Sequence, residues 1–267
     1  MAQQYNKYRN NNSLRKDFQA KNTSNQNFIY GIHAIQEAME AGKQLNKLLV
    51  QRGEASVLLQ ALLKEARNHQ IPIQYLPKES ASFPSNKNHQ GVVAQVSPIS
   101  YFKLEQVLPT LFEEGLVPFI MVLDKITDVR NFGAIARSAY CAGIHALVIP
   151  EQGGALITDD SIKTSAGALH HIKVCRENNM KTVMELLNQS GVATIGCSEK
   201  GKSYIQHADL AVPVALIMGN EETGISDEVL KRCSQLVKIP LEFGVQSLNV
   251  SVAAGIAAYE VVRQRNS

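Results

Sequence analysis

Apolar residues are set out along this chain in two different ways. Between Phe28 and about Pro98, helical spacing and short apolar runs take turns. Ile32, Ile35, Ala38 and Met39 recur at three- and four-residue steps, and Gly42 follows to end the helix. Leu48 to Val50 reads as a short strand, and Val57 to Arg67 as a second amphipathic helix. Ile71 to Leu76 and Gly91 to Val96 read as further strands. The pattern predicts a small α/β module over residues 28–98.

Farther on, the runs become wholly apolar. Leu104, Val107, Leu108 and Leu111 share a helical face, which predicts a helical linker over residues 99–116. From residue 117 to 267 the apolar runs are Phe119–Leu123, Ala146–Ile149, Ile172–Cys175, Val192–Gly196, Val214–Met218 and Leu236–Ile239. Helical segments separate most of them, including Met180–Asn188, Asp227–Cys233 and Val250–Arg263. Strands apolar on both faces and alternating with helices predict an α/β fold, a parallel sheet with helices on both faces.

Composition narrows the class. The chain has 267 residues, 45% of them hydrophobic and 19% charged, enough for two ordinary globular domains. No run reaches the roughly 18 apolar residues of a membrane helix. Residues 1–27 lack the apolar core of a signal peptide, so a cytoplasmic protein with no membrane partner is expected. That tail is rich in Asn, Gln and Lys and is predicted to be disordered. Its Lys7, Arg9, Arg15, Lys16 and Lys21 face a single Asp17; it either touches RNA phosphates non-specifically or only keeps the chain soluble. Cys141, Cys175, Cys197 and Cys233 form no CxxC pair, so packed, reduced thiols and no metal site are expected. His33, His69 and His89 stand isolated. The net charge of +3 permits a nucleic-acid partner without requiring one.

Three polar clusters begin where apolar strands end. They are Asp124–Asn131, leading into a helix with Arg137; Gly219-Asn220-Glu221-Glu222-Thr223-Gly224; and Pro240–Asn249, closing in Ser247-Leu248-Asn249. In a parallel sheet all three lie along the carboxyl edge, where ligands bind, so they can share one pocket. Any one alone reads as a solvated loop, and Glu221 alone as a charge ahead of a helix entrance. A helix of small residues, Val250 to Ala258, follows the third cluster and can pack closely within the subunit or across a dimer.

One formal match competes. Gly196-Cys197-Ser198-Glu199-Lys200-Gly201-Lys202-Ser203 fits the phosphate-binding P-loop pattern. Such a loop must open a helix, yet only Tyr204 to Val212 separate it from Pro213, with poor helix formers between. No GxGxxG supports a dinucleotide site.

The three clusters resemble the three motifs of the SpoU (TrmH-like) RNA ribose 2′-O-methyltransferases of the SPOUT class. Asn131-Phe132-Gly133-Ala134-Ile135-Ala136-Arg137 is similar to the first motif and Met218-Gly219-Asn220-Glu221 to the second. Ile239-Pro240 through Ser247-Leu248-Asn249-Val250-Ser251 is similar to the third. Lys163 to His171 further resembles the subgroup that methylates a guanosine ribose in bacterial 23S ribosomal RNA. The first module, opening Tyr30-Gly31-Ile32-His33-Ala34 and closing His89-Gln90-Gly91-Val92-Val93, resembles that subgroup's L30e-like RNA-binding domain. The resemblance implies S-adenosylmethionine as methyl donor, a homodimer and a C-terminal trefoil knot. It sets Gly219, Ile239 and Leu248 at cofactor-binding positions and Asn131, Arg137, Glu221, Ser247 and Asn249 at catalytic positions. One departure is that Val129 or Arg130 stands where the family usually has proline.

The implied chemistry moves a methyl group from sulfonium to a ribose hydroxyl, which needs alignment and an acceptor for one proton. A guanidinium keeps its proton in proteins, so Arg137 suits phosphate binding and charge stabilisation better than the role of base. Glu221 is left to accept the proton or orient the hydroxyl, with Asn131, Asn249 and Ser247 as positioning groups. A transfer-RNA ribose methyltransferase is the alternative within the class, and a non-catalytic RNA-binding protein the alternative outside it.

Overall fold

A computed structural model describes residues 28–53, 56–242 and 247–267. The basic tail expected over residues 1–27 lies outside them. The chain divides into two units, the first ending at Ser97 and the second running Pro98–Ser267. Among the described residues no helix is long and apolar enough to cross a membrane.

The first unit contains β1 (Phe28–Tyr30), α1 (Ile32–Glu40), β2 (Leu45–Gln51), α2 (Val57–Asn68), β3 (Ile73–Leu76) and β4 (Val92–Val96). Its sheet runs β1-β4-β2-β3, with β4 antiparallel to both neighbours and β2 parallel to β3. Ser56 caps α2 by accepting the Leu59 amide at 3.2 Å. Leu59, Leu62, Leu63 and Ala66 then pack onto Leu48, Val50, Val92 and Ala94 of the sheet. The strand β1 has no counterpart in the sequence pattern, because three half-buried residues show no alternation.

The second unit contains β5 (Tyr101–Phe102), α3 (Leu104–Glu113), β6 (Phe119–Leu123), α4 (Val129–Cys141), β7 (Ala146–Pro150), α5 (Asp159–Thr164) and β8 (Lys173–Glu177). It continues with α6 (Met180–Gln189), β9 (Ala193–Cys197), β10 (Ser203–Tyr204), β11 (Val214–Met218), α7 (Asp227–Leu230), β12 (Gln235–Lys238) and α8 (Val250–Arg265). Eight strands lie in the order β10-β12-β9-β11-β6-β7-β8-β5, and every neighbouring pair is parallel. The two central strands, β6 and β11, are buried at every position. Side chains alternate between faces along a strand. Phe119, Met121 and Leu123 therefore meet Phe132, Ile135 and Ala136 of α4 and Ala254, Ala257 and Ala258 of α8. Ile120 and Val122 meet α3 and α6 on the other face.

Residues 99–116, expected as a linker, belong to this unit instead. Tyr101 and Phe102 pair with Val174 and Cys175 as the last strand of the sheet. Leu104, Val107, Leu108 and Leu111 are buried in the layer of Ile120 and Val148. The shared apolar face of α3 needs a surface to cover, and the sheet supplies it.

The beginning of β6 is tied down twice. His145 Nδ1 accepts the Phe119 amide at 3.0 Å. Arg265, at the end of α8, donates to the carbonyls of Val117 and Pro118 at 3.0 Å each and to Val212 at 2.8 Å. Its guanidinium also lies over the Phe119 ring, 5.1 Å from the centroid.

Candidate active site

Strand order places the site. From β6 the chain steps to β7 and β8 on one side, whereas β9 lies on the other side and β11 is inserted between β9 and β6. Connections therefore leave the β6/β11 boundary in opposite directions, which opens a crevice at the carboxyl ends of the strands.

Each loop at that edge is held by polar groups of its own. Asp124, which follows β6, is buried; its Oδ2 accepts the Ser226 amide at 2.6 Å and its own amide donates to Met218 at 2.8 Å. Asp128 caps α4 by accepting the Asn131 amide at 2.7 Å, so Asn131 stands in the first helical turn. After β11, Asn220 and Gly224 exchange backbone hydrogen bonds of 3.1 and 2.8 Å. Gly224 takes φ +67°, and a Cβ on Gly219 would lie 2.2 Å from the backbone of Gly224 and Ile225. This tight turn carries Glu221. Asn220 Nδ2 ties it to the first loop by donating to the Lys125 carbonyl at 3.1 Å. In the third loop Asn249 caps α8, its Oδ1 accepting the Ser251 amide at 3.0 Å.

Three side chains from these three loops close a triangle. Asn131 Nδ2 donates to Glu221 Oε1 at 3.2 Å, Asn249 Nδ2 donates to the same oxygen at 2.6 Å, and Asn249 Nδ2 also donates to Asn131 Oδ1 at 3.0 Å. The Val250 amide adds a third donor to Glu221 Oε1 at 3.2 Å. The amino ends of α4 and α8 thus meet at one carboxylate, the sign of charge that helix amino ends favour. The triangle is open to solvent at Glu221 and Asn249.

The other expected residues take different places. Arg137 lies six residues beyond Asn131 on α4, about 9 Å along the axis. It is exposed and makes no hydrogen bond or ion pair with a described residue. Ser247 is exposed, and Ile239 and Leu248 are half-buried. Ile239 packs against the apolar layer that contains Phe132. Gly133, in the first motif, serves packing, since a Cβ there would lie 2.7 Å from Thr164 and 2.8 Å from the Ser161 carbonyl of α5.

Asp124, Asp128 and Asn220 are supports that sequence reasoning did not single out. Their one sequence signal is a polar side chain directly after an apolar strand or before a helix. The P-loop-like stretch also turns out to be structural. It leaves β9 between β11 and β12, and Ser198 donates its amide to Val237 at 2.9 Å. A Cβ on Gly201 would lie 2.4 Å from the Val237 backbone. β10 and a 3-10 turn follow, with no helix to face a phosphate. Burial pushes the Cys175 and Cys197 thiols up to about 12. Burial, with help from Asp124, pushes Cys233 up to about 11, so these three are packing groups rather than nucleophiles. Cys141, expected to be packed, is exposed at the end of α4.

Known proteins share this architecture. Residues 118–259 match the SpoU rRNA Methylase family, and residues 28–102 match the domain described as RNA 2′-O ribose methyltransferase substrate binding. YacO of Bacillus subtilis, assigned by name to the TrmH family of tRNA/rRNA methyltransferases, is 33% identical over 239 residues, 90% of this chain and 96% of its own. The SpoU methyltransferase AviRb from Streptomyces viridochromogenes, solved in complex with AdoMet, is similar with a TM-score of 0.57 and 26% identity, covering 90% of both chains. The TrmH/SpoU tRNA modifying enzyme of A. aeolicus is similar with a TM-score of 0.51 and 26% identity, over 61% of this chain and 84% of its own.

Proposed function

The chain belongs to the SpoU rRNA methylase family and is an S-adenosylmethionine-dependent RNA methyltransferase, and we propose that its acceptor is a guanosine ribose 2′-hydroxyl of 23S ribosomal RNA. The observation that carries the reading is the Asn131–Glu221–Asn249 triangle, standing at the carboxyl edge of a parallel sheet where its strand order reverses.

S-adenosylmethionine supplies a methyl group on a sulfonium, already a good leaving group. The residues fit it: Gly219, Ile239 and Leu248 are uncharged, follow strands of one parallel sheet and lie on the edge that holds the triangle. Backbone groups of these loops would hold the nucleoside part. Arg137, exposed and without a partner among the described residues, is the cation that binds an RNA phosphate and stabilises developing charge. Glu221 Oε1 is occupied by three donors, which leaves Oε2 to accept the hydroxyl proton. Asn131 and Asn249 fix that carboxylate, and Ser247 adds a hydrogen bond to the substrate.

Presence of the first unit supports a ribosomal acceptor, because the A. aeolicus transfer-RNA enzyme overlaps only 61% of this chain. A homodimer is supported by Val252, Ile256 and Tyr259, an apolar stripe on α8 left about half exposed, as is Tyr140 of α4. The C-terminal knot is supported by the path of the chain, which passes β12 and then returns to lay α8 on α4. Mapping 2′-O-methyl groups in RNA from a strain lacking this protein tests the acceptor. A guanosine of 23S ribosomal RNA should lose its methyl group. Loss from transfer RNA instead would move the acceptor there, and no loss from any RNA would overturn the reading.

A further inference from the structure

In the first unit, α2 has a side that no part of the sheet covers. Val57, Gln60, Lys64 and Arg67 follow one another at three- and four-residue steps, with Ala61 beside them, opposite the buried Leu59, Leu62 and Ala66. Next to this side runs β3, the edge strand. Tyr75 of β3 is in register with Val50 of β2, so the two point to the same face of the sheet. Val50 is covered by the helical layer, but among the described residues no strand lies beyond β3, and Tyr75 is 46% exposed.

Between the helix and this tyrosine lies an open groove of about 670 Å³, lined by Gln51, Val57, Gln60, Lys64, Arg67 and Tyr75 among others. Among the described residues that line it, none is acidic. Neither Lys64 nor Arg67 makes an ion pair or side-chain hydrogen bond with a described residue. Two lysine or arginine residues on a helix are ordinarily a solvated face. An exposed ring beside two cations that pair with no described residue, in a groove whose described lining holds no carboxylate, is the combination that single-stranded nucleic acid requires, with a stacking platform and a positive track for phosphates.

We propose that this groove binds a single-stranded segment of the RNA substrate, with a base stacked on Tyr75 and neighbouring phosphates held by Lys64 and Arg67. The assignment rests on the chain acting on RNA and adds where its first unit grips that RNA. Duplex RNA is excluded as the occupant, since its bases are stacked on one another and unavailable to a side chain.

The test uses the full chain and a short, unstructured, fluorescein-labelled RNA, with an RNA duplex in parallel, read by fluorescence anisotropy over a salt series. Tyr75→Ala should weaken single-strand binding about tenfold, and Tyr75→Phe should retain it. The Lys64→Ala/Arg67→Ala double variant should lower the slope of log K against log salt by about 1.4. Duplex binding should be unchanged by Tyr75→Ala. Circular dichroism and S-adenosylmethionine calorimetry confirm that each variant is folded. If wild-type protein binds and methylates RNA while the variants lose nothing, the groove assignment is overturned alone. An equal loss on the duplex also overturns it. If wild-type protein binds no RNA, the functional reading fails and takes the groove with it.

Discussion

Asn249 Nδ2 stands 2.6 Å from Glu221 Oε1, although the two residues are 28 positions apart and belong to loops after different strands. That contact, with the donors from Asn131 and Val250, makes one carboxylate oxygen a brace for two helix ends. Glu221→Gln keeps an oxygen for the same donors, so its stability should stay within about 0.5 kcal/mol of wild type. Methyl transfer should fall about a hundredfold with the loss of the proposed proton acceptor. Glu221→Ala should also lose about 1–2 kcal/mol of stability. Urea unfolding and a tritium-transfer assay measure both, and a wild-type rate in the Gln variant would reduce Glu221 to a positioning residue.

Arg137 is exposed and makes no hydrogen bond or ion pair with a described residue. Arg137→Ala should therefore unfold within about 0.5 kcal/mol of wild type and bind S-adenosylmethionine with near-normal affinity. Its methyl transfer should be nearly abolished. Near-normal activity in the tritium assay would remove Arg137 from the catalytic site.

Gly219 has no room for a side chain. The Gly219→Ala methyl group would sit 2.2 Å from the Gly224 and Ile225 backbone. The turn must open to admit it, at about 1–3 kcal/mol. Calorimetry should show S-adenosylmethionine affinity falling together with the melting temperature. An alanine variant with unchanged melting temperature and affinity would show that the turn yields freely.

How readily each part could be read from sequence depended on whether its cause was local. Phe119–Leu123 and Val214–Met218 are legible to the residue because burial on both faces demands five apolar residues in a row. Tyr101–Phe102 is not, since a two-residue edge strand is made by its pairing to β8. The helix Asp159–Thr164 is equally silent. It is mostly polar and starts with Ser161 Oγ accepting the Thr158 amide at 2.9 Å rather than with an apolar face. At the site, residue types and their position after strands point to one edge. The triangle does not follow from them, because which oxygen of Glu221 is engaged depends on the meeting of α4 and α8.

His145 makes stability depend on pH. Burial, and then the nearby charges of Arg265 and Lys173, lower its pKa from the usual 6.5, against a smaller opposing effect of Glu114. The unfolded chain takes up the proton first on acidification. The contribution is therefore complete above about pH 6.5 and is lost as pH falls from there through the lower folded-state value. Urea unfolding at neutral pH and near pH 5 should show this loss. His145→Asn, whose Oδ1 can accept the Phe119 amide without titrating, should weaken the dependence; an unchanged profile would assign it to other groups.

Arg265 holds carbonyls 147 and 148 residues earlier in the chain, and Asn249 meets an Asn131 that precedes it by 118. A ribosome releases these partners in that order. The β6 strand and the first motif wait through most of the unit's synthesis before α8 arrives to join them. Until then the Glu221 carboxylate lacks its shortest donor, and the layer of Phe132 and Ala136 lacks its alanine-rich cover. A nascent chain therefore has neither the closed Asn131–Glu221–Asn249 triangle nor the full apolar layer over β6 until α8 is in place.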